Sequence, residues 1–506
     1  MKNFLKKLTN ARTIFIFLGV LLIFFIALRP PTDPDMGWHI RDGQYLLEND
    51  LHVAKKDMFS YTMPNFPLIM HEWVTDVLMA EIYQKTNLFM LSVIFALIVT
   101  GAFLLVSWGV EAKIEYKIIS SILGVIASIP VLGVRPQMLN LLGLALVVFI
   151  ILKFRKNNQS KIIYVLPLIF LVWVNMHGGF AVGLFLLGVF IGLEIFKLTL
   201  AIILKKFFKN GRVLKAEKWL RENSISGNKI IPLISVFLIS SLATLFNPYG
   251  WRTYIEIFNT IFDSYAKTNI NEWMPVVMTN PMSYQFIIYL LLLSILLIFS
   301  FRRVDYTYLL ICVVFLYLGF SSWRHMPLFL VISTPLWISI VESLVGRELS
   351  VIVQKKTFLI FLILAIFFVG KQRLGREIPL SFSLEKLAVD GQYPLAATRY
   401  LKGNPIDGRM FNEYNWGGFL IWQYPEKKVF IDGRMPSWKM GDQKIFEDFN
   451  KVLMFNDGWQ DILKKYDIGF ALVYNNPPNK YVFLNLGWRE VYSDELACIF
   501  VRPDNQ

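Results

Sequence analysis

The sequence has little cysteine, little histidine and little charge. It holds two cysteines (Cys312 and Cys498), five histidines and 17% charged residues in 506. Cys312 falls inside an apolar run far from Cys498, and no C-x-x-C occurs, which argues against a structural disulfide, a dithiol redox site and a cysteine-based zinc site. H-E-x-x-H is also absent. His71-Glu72 begins the pattern, but Thr75 stands where the second histidine would be, and the zinc-protease reading fails. No P-loop, Rossmann glycine fingerprint or serine-hydrolase elbow occurs in the context such motifs require. Ionisable residues are sparse within the apolar runs; Glu194 is the clearest. Together with the lack of a repeat between the two halves, this weighs against a coupled transporter.

Long apolar blocks are what the sequence does contain. Hydrophobic residues make up 55% of the chain, and the mean hydropathy is +0.49. This composition indicates an α-helical polytopic membrane protein. About 20 apolar residues cross a bilayer. That length places spans near 13–29, 87–109, 117–134, 137–152, 161–176, 179–204, 230–246, 284–301, 306–321, 326–345 and 356–370, about eleven in all. The first follows Lys2, Lys6, Lys7 and Arg12 and lacks a small-residue cleavage site before Arg29-Pro30-Pro31, so it reads as a retained signal anchor.

The net charge of +14 could suggest a nucleic-acid partner, but the basic residues cluster in short loops between apolar blocks. With the N-terminus inside, the inward loops 110–117, 153–161, 205–229, 302–305 and 346–356 all carry Lys or Arg. The outward loops are mostly poor in them. The expected protein is therefore a multi-pass cell-membrane protein with a cytoplasmic N-terminus, an extracytoplasmic C-terminal tail and no nucleic-acid partner. The expected domains are a membrane part over 1–372, with a first outer loop at 30–86, and an extracytoplasmic small α/β domain over 373–506.

Orientation sorts the chemistry. All five histidines fall on the outward side, with Arg135-Pro136-Gln137, Asn247-Pro248-Tyr249-Gly250, Glu272-Trp273 and Arg324-His325. The first outer loop is the richest stretch. It carries Asp33 and Asp35, then His39, His52 and His71-Glu72. Met36, Ile40, Gly43 and Leu47 form a helical stripe, with Trp38, Arg41, Asp42 and Tyr45 off it, which predicts a short interfacial amphipathic helix ending near Glu48. Asp33 or Asp35 would cap it. A second helix is expected from His71 through Tyr83. In the tail, strands are expected at Arg409–Phe411, Val429–Ile431 and Phe470–Val473, and a hairpin at 489–502. The sequence Ile-Asp-Gly-Arg-Met occurs twice, at 406–410 and 431–435, and reads as two Asp-Gly turns with an exposed Arg.

Asp33-Pro34-Asp35, Trp38-His39, Asp57-Met58-Phe59-Ser60 and His71-Glu72-Trp73 resemble the first outer loop of prokaryotic members of the GT-C glycosyltransferase superfamily, close to its Rgt and protein mannosyltransferase-like branch. His177-Gly178-Gly179, Arg324-His325, Asn415-Trp416-Gly417-Gly418 and Phe430-Ile431-Asp432-Gly433-Arg434 extend the resemblance over nearly the whole chain. It implies a polyprenyl-phosphate sugar donor, a first-loop carboxylate as base, and an unknown glycan, lipid or protein acceptor. Asp35 and then Asp33 match the base. Arg324, His325 and Arg135 are candidates to meet the lipid phosphate, with His177, His71, Glu72 and His39 as further binding residues. No metal ligand set is assigned, although a divalent cation, Mg or Mn, is compatible. Two other readings stay open: a non-catalytic lipid-linked-glycan binder on the same scaffold, and a lipid or solute transporter.

Overall fold

The computed structural model describes residues 10–157, 159–207, 210–345, 348–380 and 382–503. Lys2, Lys6, Lys7, Lys209 and Arg347 of the charge pattern lie outside the described residues.

The apolar blocks become helices because Leu, Ile and Phe runs can satisfy their backbone only internally once water is removed. In chain order these are α1 (Ala11–Ala27), α2 (Met36–Glu48), α3 (Trp73–Lys85), α4 (Leu88–Trp108), α5 (Ile114–Ser128), α6 (Leu139–Lys156), α7 (Leu166–Met176) and α8 (Phe180–Phe207). There follow α9 (Gly211–Glu222), α10 (Ile230–Ala243), α11 (Arg252–Phe262), α12 (Ser264–Asn269), α13 (Tyr284–Ser300), α14 (Tyr306–Ser321), α15 (Met326–Val345), α16 (Glu348–Ile352) and α17 (Lys356–Gly370). Asn10, Asn87 and Asp305 cap α1, α4 and α14 through side-chain bonds to the first turn. Among the described residues, eight helices are long and apolar enough to cross a membrane, and three shorter apolar ones, at Ala11–Ala27, Lys161–Met176 and Tyr306–Ser321, stand beside them. Their positions follow the hydropathy blocks.

The tail adds α18 (Leu384–Gly391), α19 (Leu395–Gly403), β1 (Arg409–Asn412), α20 (Gly417–Gln423), β2 (Lys439–Met440), β3 (Gln443–Lys444), α21 (Ile445–Leu453), α22 (Trp459–Lys465), β4 (Ile468–Tyr474), α23 (Pro477–Asn485), β5 (Arg489–Ser493) and β6 (Ala497–Val501). Its four-stranded sheet runs β1-β4-β6-β5, with β1 parallel to β4 and the other pairs antiparallel. The expected strand at Val429–Ile431 is absent. Val429 makes one isolated bridge to Ser60, because its neighbour in space is the first loop and not the sheet.

The first loop and the tail share one core. Gly37 of α2 meets Gly418 of α20 so closely that a Cβ on Gly37 would lie 2.3 Å from the Gly418 carbonyl oxygen. Met63, Leu68 and Met70 pack with Phe430, Ile431 and Trp438. α2 is therefore not an interfacial helix. The tail covers it, and Asp42, expected on its polar side, is buried. At the opposite end of the bundle, Arg155 pairs with Asp305, and Glu194 meets Lys197 at 2.8 Å while accepting the Ile225 amide at 2.9 Å. Glu194 thus clamps the segment after α9 and faces away from the outer loops.

Candidate functional site

The start of α2 is built by Asp33. Its Oδ1 accepts the Asp35 amide at 3.0 Å, and its Oδ2 lies 3.0 Å from Arg135 Nε. Asp35 occupies the N-cap position, but its side chain makes no cap bond. Instead its Oδ1 accepts from Trp38 Nε1 at 3.0 Å, under Gly433, where a Cβ would come within 1.8 Å of that oxygen. Burial, then the neighbouring Asp33 charge, pushes the Asp35 carboxyl up to about 6.

Asp35 opens onto a cavity of about 270 Å³ between the outer ends of the helices, α11 and the tail. Of the residues singled out by sequence, Asp35, His39, His71, Glu72, Arg135, His177, Arg324 and His325 line it, and Asp33 does not. His52 is on the surface, bonded to the Asn49 carbonyl.

One wall is a histidine–carboxylate cluster. α2 and α3 pack so tightly that a Cβ on Gly43 would lie 2.0 Å from the Asp76 carbonyl oxygen. The four-residue spacing of Glu72 and Asp76 puts both carboxylates on the face that meets α2. His39 Nδ1 then lies 2.7 Å from Asp76 Oδ1 and 3.4 Å from Glu72 Oε2. His177, in the turn between α7 and α8, accepts the Gly179 amide on Nδ1 at 2.8 Å. Its Nε2 therefore carries the proton and donates to Glu72 Oε1 at 2.9 Å. His71 lies 3.5 Å from the same oxygen and 3.0 Å from Glu256 Oε2 of α11.

The charges in this wall diverge. Burial alone would raise Glu72, but His177, His39 and His71 outweigh it and hold that carboxyl well below its ordinary range. Burial, then the Glu72 charge, pushes Asp76 well above its own. Burial lowers His39 and His177, whereas Glu256 and Glu72 overcome burial at His71 and raise it.

The opposite wall holds cations that are already engaged. Arg135 pairs with both Asp33 and Glu272. Arg324 lies 3.3 Å from Glu272 and 3.1 Å from Gln137 Oε1, stacked over Trp273 at 4.8 Å. Glu272 therefore bridges two arginines. His325 reaches Ser321 Oγ at 3.4 Å.

Four ionisable cavity residues had no site role from sequence: Arg434, Asp42, Asp76 and Glu256. Arg434 corrects the reading of Ile431–Met435 as a turn with an exposed Arg. Its side chain is 6% exposed, paired with Asp432 at 2.8 Å and Asp57 at 3.1 Å, between the rings of Phe59 and Trp438. One of its terminal nitrogens is buried with no hydrogen-bond partner. Arg409, in the other copy, does lie exposed, against Tyr61. The recurrence of Ile-Asp-Gly-Arg-Met was the available signal, and the tertiary contact with the first loop distinguishes the two copies. Asp76 was legible only as the residue four after Glu72. Glu256 sits on α11, where the sequence showed a loop.

The fold is similar to that of the archaeal oligosaccharyltransferase AglB from Archaeoglobus fulgidus, solved in complex with an inhibitory peptide and a dolichol-phosphate. The TM-score is 0.54, covering 92% of this chain and 69% of that one, at 9% sequence identity. No family model and no curated protein sequence matches the chain. At such low identity the likeness establishes the fold alone: a polytopic helical membrane protein carrying a small C-terminal sheet domain.

Proposed function

We propose that this protein is a membrane glycosyltransferase, of the Rgt and protein mannosyltransferase-like kind, that moves a sugar from a polyprenyl-phosphate donor to an acceptor on the outer face of the cell membrane. Asp35 is the base. The observation that carries this reading is the placement of Asp35 at the cavity lining, half-buried and pushed up to about 6, in a fold similar to that of an oligosaccharyltransferase. A carboxylate poised there is a stronger base than a solvated one and can take the acceptor proton as the sugar carbon is attacked. The departing lipid phosphate needs donors that meet its charge. Arg324 and Arg135 supply them by exchanging Glu272, and the unpartnered nitrogen of Arg434 adds one more. α11 serves as the lipid-side wall. Glu256, Ile257 and Thr260 face the cavity, while Ile255, Phe258 and Phe262 are exposed on its other side. The N-terminus is cytoplasmic, and residues 373–506 form the outer domain.

The test is transfer of labelled sugar from a panel of polyprenyl-phosphate-linked hexoses and pentoses in membranes. Asp35→Asn should lower the rate by about 10²–10⁴-fold, the usual contribution of a positioned base. Asp33→Asn should lower it less, by about tenfold, because the amide still accepts from Asp35 N but no longer pairs with Arg135. Full activity in both variants and in the double variant would remove Asp35 from this role.

A further inference from the structure

His39, Glu72 and Asp76 each offer one ligand atom, and these atoms lie within 4.8 Å of one another on two helices locked by Gly43. His39 is 3% exposed, Glu72 8% and Asp76 1%. Ligands that share an ion at about 2.1 Å stand roughly 3.0–3.4 Å from each other. The separations of 2.7 and 3.4 Å from His39 Nδ1 to the two carboxylates are already close to that spacing. A small movement of one rotamer would admit an ion in place of the bridging proton.

A second observation points the same way. Asp42 lies one turn on from His39, lines the same cavity and is 2% exposed. Its Oδ1 is buried with no hydrogen-bond partner. Among the described residues these three buried carboxylates face one arginine, Arg434, which is paired with Asp432 and Asp57, and one cationic histidine, His71, which Glu256 shares. Buried carboxylates in excess of their cations are costly unless they are neutralised. The remaining contacts are those of an outer coordination shell: His177 and His71 hold the other oxygen of Glu72, at 2.9 and 3.5 Å, and so orient it.

We infer that His39, Glu72 and Asp76 form a binding site for a divalent transition ion, with Asp42 as a fourth oxygen donor and the cavity as the entry path. One imidazole with carboxylates suits Zn2+ or Mn2+ better than Mg2+ or Ca2+, which take oxygen ligands. Asp33 and Asp35 are not part of this site, and the inference stands whether or not the protein transfers sugar.

The experiment uses the full chain in detergent, stripped with a chelator and then titrated with Zn2+ or Mn2+ by calorimetry. The expected result is one equivalent bound at micromolar affinity or tighter, with Mg2+ and Ca2+ at least 100-fold weaker. X-ray absorption at the zinc edge should show an oxygen–nitrogen shell near 2.0–2.1 Å that includes one imidazole. His39→Ala and Asp76→Asn should each weaken binding at least tenfold, whereas His52→Ala and Asp35→Asn should bind as the wild type does. Loss of transfer in Asp35→Asn with the ion retained separates this site from the proposed base. No saturable binding by the wild-type chain up to 100 μM, a sulfur shell, or unchanged affinity in His39→Ala and Asp76→Asn would each overturn the inference.

Discussion

Two glycines at the contact between first loop and tail set different constraints. A Cβ on Gly37 would strike the Gly418 carbonyl oxygen at 2.3 Å and the Phe419 amide nitrogen at 2.9 Å, both backbone atoms. α20 could accommodate it only by lifting off α2. A Cβ on Gly433 would meet the Asp35 carboxylate first, at 1.8 Å, and then Trp38 Nε1 at 3.3 Å, both side-chain atoms that can rotate. Gly37→Ala should therefore lower stability by about 1–3 kcal/mol, as overpacking does. Gly433→Ala should leave the melting midpoint nearly unchanged yet slow transfer by about 10²-fold, the cost of moving a reacting group by about an ångström. Melting curves beside transfer rates for the two variants check both outcomes; similar melting losses in both would refute the distinction.

Among the elements, the end of β1 carries a titratable group with a consequence for stability. Glu413, just after β1, is buried, and its Oε1 accepts the Tyr474 amide of β4 at 3.3 Å. Burial raises its carboxyl to about 7 from an ordinary 4.5. A folded-state value above the unfolded one means that the stability it contributes is complete below pH 4.5 and is lost as pH rises through 7. Glu413→Gln keeps an acceptor for Tyr474 and removes the charge. The variant should be more stable than the wild type at pH 8 by on the order of 3 kcal/mol and should match it near pH 4.5. Melting midpoints followed by tryptophan fluorescence at the two pH values measure this, and an equal pH slope in both proteins would count against it.

For the whole molecule, the shared core of first loop and tail fixes both on one side of the membrane. The proposed topology, which follows the positive-inside pattern, faces that side outward. The two native cysteines are buried, so single introduced cysteines report orientation against a low background. Asp461→Cys, at a side chain 80% exposed in the tail, should react with an impermeant maleimide on intact cells. Lys218→Cys, at a side chain 75% exposed in α9, should react only after permeabilisation. The reverse pattern would invert the topology and place the cavity on the cytoplasmic face.

The sequence by itself determined the membrane spans, because hydropathy and helix length are local properties that the bilayer reads directly. It also determined the two first-loop helices, by periodicity, and most of the tail strands. It marked Asp35, His39, His71, Glu72 and His177 as polar groups sharing one side. The tertiary structure alone decided which of them meet. Asp33 turned away to Arg135, and Asp76 and Asp42 came in across the Gly43 contact. Arg434 became a buried cavity residue while Arg409, in the same five-residue sequence, stayed exposed. The physical reason is distance along the chain. Arg434 meets Asp57 across 377 positions, and His71 meets Glu256 across 185. No local pattern encodes a partner so remote, and only close packing of loop, helix ends and tail brings those charges together.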